Sequence, residues 1–207
     1  MRQLDVLNFY CNAIPMENQN NLTKSRIAAF VFAGGTSSRF GSNKALFEIG
    51  GKPMIEWVAG NIGAAAQCDP IFVGTRDEAS FSHSGVLIGK REGTGPLGAL
   101  CDALDSVDAQ FVLVAPCDTP FFSSESFARL VARMTHFAAV VAVDNERQDN
   151  AHWLLSCWHA DACRKHLADQ YDSGERAIHR AVSGLDIHFE SFDERELRNI
   201  NSPNDIE

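Results

Sequence analysis

Short apolar runs and amphipathic stretches alternate along most of the chain. "IAAFVF" (27–32) is continuously apolar, which suits a strand buried on both faces. "PMIEWVAGNIGAAA" (53–66) sets its apolar residues at helical spacing, with Pro53 at the start. Strand-like runs follow at 70–75 and 85–89, then a helix over 95–107 opened by Pro96 and Leu97. "AQFVLVAP" (109–116) is the most strand-like run in the chain. "SSESFARLVARM" (123–134) puts serines and Glu125 ahead of a helical apolar period, the pattern of a capped helix. Strands are expected at 137–143 and 152–159, with a late edge strand at 186–192; helices are expected at 160–171 and 174–182.

This alternation with short connections predicts an α/β domain built on a mainly parallel sheet. Ligands of such sheets bind at the carboxyl ends of the strands, which directs attention to the turns after Phe32, Val73, Ile88 and Ala115. Residues 1–25 break the pattern. "IPMENQNNLTKS" is polar and amide-rich with no period, so 1–25 is expected as a poorly ordered extension and 26–207 as one domain.

Composition narrows the partners. The chain has 207 residues, 45% hydrophobic and 22% charged, ordinary for a soluble domain with a real core. A formal net charge of −9 argues against a nucleic-acid partner. A small anionic ligand needs only a local cluster of donors and stays open. No apolar stretch approaches membrane-spanning length, and no basic start precedes an apolar stretch, so a cytoplasmic protein with no membrane partner is expected. Of six cysteines none forms a CxxC pair, and most lie in apolar runs. Cys157 and Cys163, near His159 and His166, have a spacing that suits no common zinc knot; reduced, buried thiols are expected.

The candidate chemistry lies in the loops. After the first strand, "AGGTSSRFGSNK" bares its backbone at Gly34 and Gly35, so N–H groups can approach a phosphate. Arg39 offers a planar fork to phosphate oxygens and Lys44 a mobile point charge. The loop fits neither the P-loop, which ends in Gly-Lys-Ser/Thr, nor the G-x-G-x-x-G dinucleotide fingerprint. Asp118 lies just beyond the longest apolar strand, between Pro116 and Pro120, where a carboxylate can hold a hard cation such as Mg²⁺ against phosphates. "EGTGPLGAL" runs into a helix whose N-terminus, near Gly95 and Pro96, can meet a phosphate, ribose or base. "RNINSPNDI" offers Asn199 and Asn201 before Pro203, either as a plain turn or as donors and acceptors for a ligand.

Taken together, "FAGGTSSRFG..K", "GTGPLGAL", "VAPCDTPFF", "SGERAI" and "NINSP", in this order, resemble the MobA-type molybdenum cofactor guanylyltransferases of the nucleotidyltransferase superfamily. The resemblance covers roughly residues 26–207. It implies a three-layer α/β/α, Rossmann-like nucleotidyltransferase domain with a mainly parallel, mixed sheet. It also implies transfer of GMP from GTP with Mg²⁺ to the terminal phosphate of molybdopterin, with release of pyrophosphate. Molybdenum-insertion and molybdoenzyme chaperone proteins are the implied protein partners. Carried over by residue, Phe32, Ala33, Gly34 and Gly35 contact the nucleotide, Arg39 and Lys44 face the triphosphate, and Asp118 binds the metal. Gly95 and Pro96 adjoin the nucleotide, Asn199 and Asn201 the pterin side, and Gly174, Glu175 and Arg176 the same substrate. The chain departs from the family at Asn43, where members often carry Asp, at Gly74 or Thr75, where Asn is usual, and at Gly89 or Lys90, where Asp is usual. The departures at 74–75 and 89–90 bear on the base, so CTP use, a sugar-phosphate acceptor and a non-catalytic nucleotide-binding role remain alternatives.

Overall fold

The computed structural model describes residues 27–34, 44–74, 85–87, 89–91, 95–144 and 150–206. The expected extension, 1–25, lies outside them, as do Gly35, Arg39 and Asn43. The strands are β1 (Ile27–Phe32), β2 (Glu48–Ile49), β3 (Lys52–Pro53), β4 (Ile71–Val73), β5 (Val86–Leu87), β6 (Phe111–Pro116), β7 (Ala139–Asp144), β8 (Ala151–His159) and β9 (Ile187–Phe192). The helices are α1 (Met54–Ala66), α2 (Pro96–Ser106), α3 (Ser124–Ala132), α4 (Ala160–Asp172) and α5 (Ile178–Ala181).

Seven strands form one sheet in the order β5-β4-β1-β6-β8-β7-β9, and β2 pairs with β3 in a small hairpin. All sheet partners are parallel except β8, which runs antiparallel to β6 and β7. Only six residues, 145–150, join β7 to β8, too few for the crossover that a parallel neighbour requires. The mainly parallel, mixed sheet expected from the sequence is therefore present, and β9 is the edge strand it was read to be.

The central strands are apolar on both faces because helices cover both. On one face Leu113, Ala115, Val140 and Ala142 meet Ile55, Val58 and Ile62 of α1 and Phe127 and Leu130 of α3. On the other, Phe30, Val112, Val114 and Val141 meet Leu97, Leu100 and Leu104 of α2 and Cys163 and Leu167 of α4. Each such buried aliphatic or aromatic side chain contributes about 1.5–3 kcal/mol. The helix starts follow local chemistry. Ser123 Oγ accepts from Ser126 N ahead of α3, and Pro96 occupies the first turn of α2, where no amide is needed.

One expected helix is much shorter than its sequence pattern. The helix read over 174–182 spans only Ile178–Ala181. Gly174 has φ +102°, and the Glu175 carboxylate accepts from the amides of Arg176 and Ala177 at 2.7 and 2.8 Å. This side-chain cap competes with helix formation across the first four residues.

Candidate active site

The carboxyl ends of β1, β4, β5 and β6 share one edge of the sheet, since these strands are mutually parallel. The ladder continues a step beyond it: Ala33 N donates to Val73 O at 2.9 Å, and Cys117 N donates to Phe32 O at 3.0 Å. Phe32 is buried, and Ala33 and Gly34 lead the chain out of the core at this edge. Gly34 packs against Gly74 at the end of β4. A Cβ on Gly74 would lie 2.9 Å from Gly34 Cα, and Gly74 has φ +81°, so both space and conformation demand glycine there. Glycine at 74 thus allows two backbones to touch beside the first loop.

Lys44 opens a single 3₁₀ turn, Lys44–Leu46, anchored by buried Ala45. Its ammonium donates to Asp118 Oδ2 at 2.8 Å and to Asn201 Oδ1 at 2.7 Å. Asp118 follows β6 in a tight turn in which the Thr119 hydroxyl, fully buried, donates to Pro116 O at 3.1 Å. Ile200 N donates to Asp118 O at 2.9 Å, which ties the C-terminal segment to this turn. Asn201 is held by Asp205, whose Oδ2 accepts from the amides of Asn201 and Ser202 at 2.6 and 2.7 Å. Those amides, Asn201 first, hold the Asp205 carboxyl below its ordinary pKa. The structure thus gathers Lys44, Asp118 and Asn201 into one contact. Asn199 is exposed beside it, and Gly35 and Arg39 lie outside the described residues.

Gly95 and Pro96 begin α2 at the same edge. Gly95 has φ +91° and no side chain caps the helix. Gly174, Glu175 and Arg176 lie between α4 and α5. Glu175 accepts from Arg180 Nη2 at 2.7 Å, and this pair with the neighbouring amides draws its pKa down to about 2. Arg176 lies over the Tyr171 ring at 4.0 Å.

Two residues join the neighbourhood that the sequence did not single out for it. Asp144 ends β7, which runs parallel to β6, and His152 starts β8, which runs backwards, so both come to the carboxyl edge. Burial lowers the His152 pKa, opposed by the charges of Asp144 and Asp118. No pattern of residue types marks Asp144, because its position follows from where β7 stands in the sheet and which way it runs. Asp205 was passed over within a short polar turn.

Among the described residues, no group of three or more His, Cys, Asp or Glu side chains could hold a metal ion. Magnesium asks less of a protein, one or two carboxylates with phosphate and water completing the shell. Asp118 Oδ1 is buried and has no hydrogen-bond partner, so the donor set fits such an ion. Cys101, Cys117, Cys157 and Cys163 are buried free thiols. Cys163 Sγ donates to Ala138 O, and burial pushes its thiol up to about 12, which suits a packing role. No described helix is long and apolar enough to cross a membrane.

Lys44 and Asp118 meet at the carboxyl edge of a three-layer α/β/α sheet, the edge where domains of this class bind ligands. The chain belongs to the family described as "MobA-like NTP transferase domain", which it matches over residues 29–186. It is 30% identical over 160 residues to a molybdenum cofactor guanylyltransferase of Shewanella halifaxensis, covering 74% of this chain and 78% of that protein. Among solved structures, the molybdopterin-guanine dinucleotide biosynthesis protein A of Archaeoglobus fulgidus superposes with a TM-score of 0.69 at 23% identity, covering 86% of this chain and 94% of that one. The 2-C-methyl-D-erythritol 4-phosphate cytidylyltransferase of Thermus thermophilus superposes with a TM-score of 0.68 at 16% identity, covering 87% and 95%. The fold is therefore common to enzymes of differing base and acceptor.

Proposed function

We propose that the protein transfers GMP from GTP to the terminal phosphate of molybdopterin, releasing pyrophosphate, and so makes the guanine dinucleotide form of the molybdenum cofactor. The observation that carries this reading is the contact of Lys44 with both Asp118 and Asn201. It joins three motifs of the resemblance at one point. The names of the curated relatives, such as the Shewanella halifaxensis protein, agree with it.

In the reaction an acceptor phosphate oxygen forms a bond to the α-phosphorus while the bond from that phosphorus to the α,β-bridging oxygen breaks. The electron pair leaves with pyrophosphate. The acceptor phosphate is already ionised at neutral pH, so the protein supplies position and charge rather than a general base. Lys44 places a positive charge beside the phosphates, and Arg39 adds a fork of donors from the same loop. The amides after β1 approach the phosphates where glycine leaves the backbone bare. The N-terminus of α2 at Gly95 and Pro96 adjoins the nucleoside. Asn199 and Asn201 serve the acceptor side together with 174–176. Asp118 would hold Mg²⁺, which would supply positive charge beside the α-phosphate and the leaving pyrophosphate.

The test is incubation of the protein with each nucleoside triphosphate, Mg²⁺ and molybdopterin, following pyrophosphate and the dinucleotide product. GTP-dependent release that requires molybdopterin is the expected result. Equal or greater release with CTP transfers the reading to a cytidylyltransferase. Release only with a sugar phosphate, or nucleotide binding with no release, overturns it.

A further inference from the structure

The structure assigns a positioning role to Asp102, a buried acid of α2: we propose that it fixes the turn after β5 against α2 so that this turn receives the nucleoside. The inference rests on the reading of the site given above.

Gly89 carries the first half of the argument. A Cβ there would lie 1.8 Å from Asp102 Oδ2 and 2.4 Å from its Cγ. Unlike Gly74 and Gly95, Gly89 has no positive φ, so space rather than conformation excludes a side chain. The space is filled by the carboxylate of Asp102, which is only 6% exposed although it carries a charge.

A carboxylate so buried is costly unless it is paired and hydrogen-bonded. Asp102 is both, through one residue. Arg91 N donates to Oδ2 at 2.8 Å, and Arg91 Nη1 donates to Oδ1 at 2.9 Å. The same Nη1 reaches Asp105 Oδ2 at 2.8 Å, one helical turn further on. The turn is thus held to α2 through main chain and side chain together. The Arg91 guanidinium also lies 5.4 Å from the centre of the Tyr171 ring, which Arg176 covers at 4.0 Å. Tyr171 therefore links the 89–91 turn to the 174–176 segment.

The sheet order says what this turn is for. Lys44 and Asp118 mark the phosphates at the ends of β1 and β6. β4 and β5 continue the sheet on one side, and β8 and β7 on the other. At the usual strand spacing, β5 lies about 10 Å from β1, a distance a nucleoside covers. The side toward β5 has the flat Gly34–Gly74 contact and the uncapped start of α2, so the nucleoside extends there and the acceptor approaches from the other side. Asp102 sets the far wall of that nucleoside site without touching the reacting atoms.

Steady-state kinetics on Asp102→Asn, with the nucleotide varied, supply the test. The nucleotide KM is expected to rise about tenfold while kcat stays within about threefold, as suits loss of a charged hydrogen bond remote from the chemistry. Hydrogen exchange at the Arg91 amide, measured without nucleotide, is expected to accelerate in the same variant. Gly89→Ala gives an independent arm. It should raise the nucleotide KM in the native background and do so far less in Asp102→Ala, where the obstructing carboxylate is gone. An unchanged nucleotide KM in Asp102→Asn, or equal effects of Gly89→Ala in the two backgrounds, overturns the inference. A native chain that transfers from no nucleotide overturns instead the function on which it rests, and the exchange arm still reads the turn.

Discussion

Lys44 Nζ lies 2.8 Å from Asp118 Oδ2 although 74 residues separate them in the chain. The lysine comes from the loop after β1 and the acid from the turn after β6, and these strands are hydrogen-bonded neighbours. The pair therefore depends on the parallel registry of Phe32 with Pro116, which brings both loops out at the same edge.

Both members of this pair are expected to be needed for turnover and neither for folding. Each is partly exposed and packs no core. Lys44→Ala and Asp118→Ala should each lower kcat by about 100- to 1,000-fold, the usual cost of removing one preorganised charge or donor at a phosphoryl centre. Pyrophosphate release measures the rate, and circular dichroism checks the fold. A near-native rate in either variant removes that residue from the proposed site.

Asp205 should act through Asn201. Its carboxylate holds the amides of Asn201 and Ser202, which places the Asn201 side chain on Lys44. Asp205→Ala is expected to cost about tenfold in turnover, the scale seen when an orienting partner of a site residue is lost. Asn201→Ala should cost at least as much, and the double variant little more than Asn201→Ala alone.

Gly74→Ala tests the contact of β1 with β4. The added Cβ would press on Gly34 Cα at 2.9 Å, and φ +81° disfavours any side chain. Denaturant unfolding is expected to show a loss of about 1–3 kcal/mol. No loss would mean that the two backbones move apart freely.

Glu190 is a buried, acid-sensitive element of the fold. Burial works to raise its pKa, but Arg129, His188 and Arg133 together hold it below the ordinary 4.5. The folded chain thus holds the ionised form more firmly than the unfolded chain does. That contribution is complete above pH 4.5 and is lost as the pH falls below it. Glu190→Gln should destabilise the protein by about 1–3 kcal/mol near neutrality, where a buried partner of two arginines is lost. The difference from the native chain should shrink in unfolding curves taken at progressively lower pH.

Much of this was legible in the sequence, because apolar periodicity reports which faces must be covered. β1, β6 and α1 follow their patterns to within two residues at each end, and Ser123 caps α3 as its spacing indicates. The glycine loop, Lys44 and Asp118 stood out because residue type and position at strand ends carry the chemistry. The 174–177 segment was misread because its helical spacing is real but local. The Glu175 side chain takes up the amides that a helix would have used.

The sequence by itself determined the alternation of strand and helix, the apolar core of the sheet, the loop chemistry and the membership of a nucleotidyltransferase family. Tertiary structure alone decided which distant groups meet. It placed Asn201 on Lys44 across 157 residues, set Gly34 against Gly74, brought Asp144 and His152 to the carboxyl edge and put Asp102 in the space left by Gly89. The physical reason is that periodicity fixes only which face of an element is buried. Strand order, strand direction and close packing fix what each buried face meets, and those follow from how distant segments pack together.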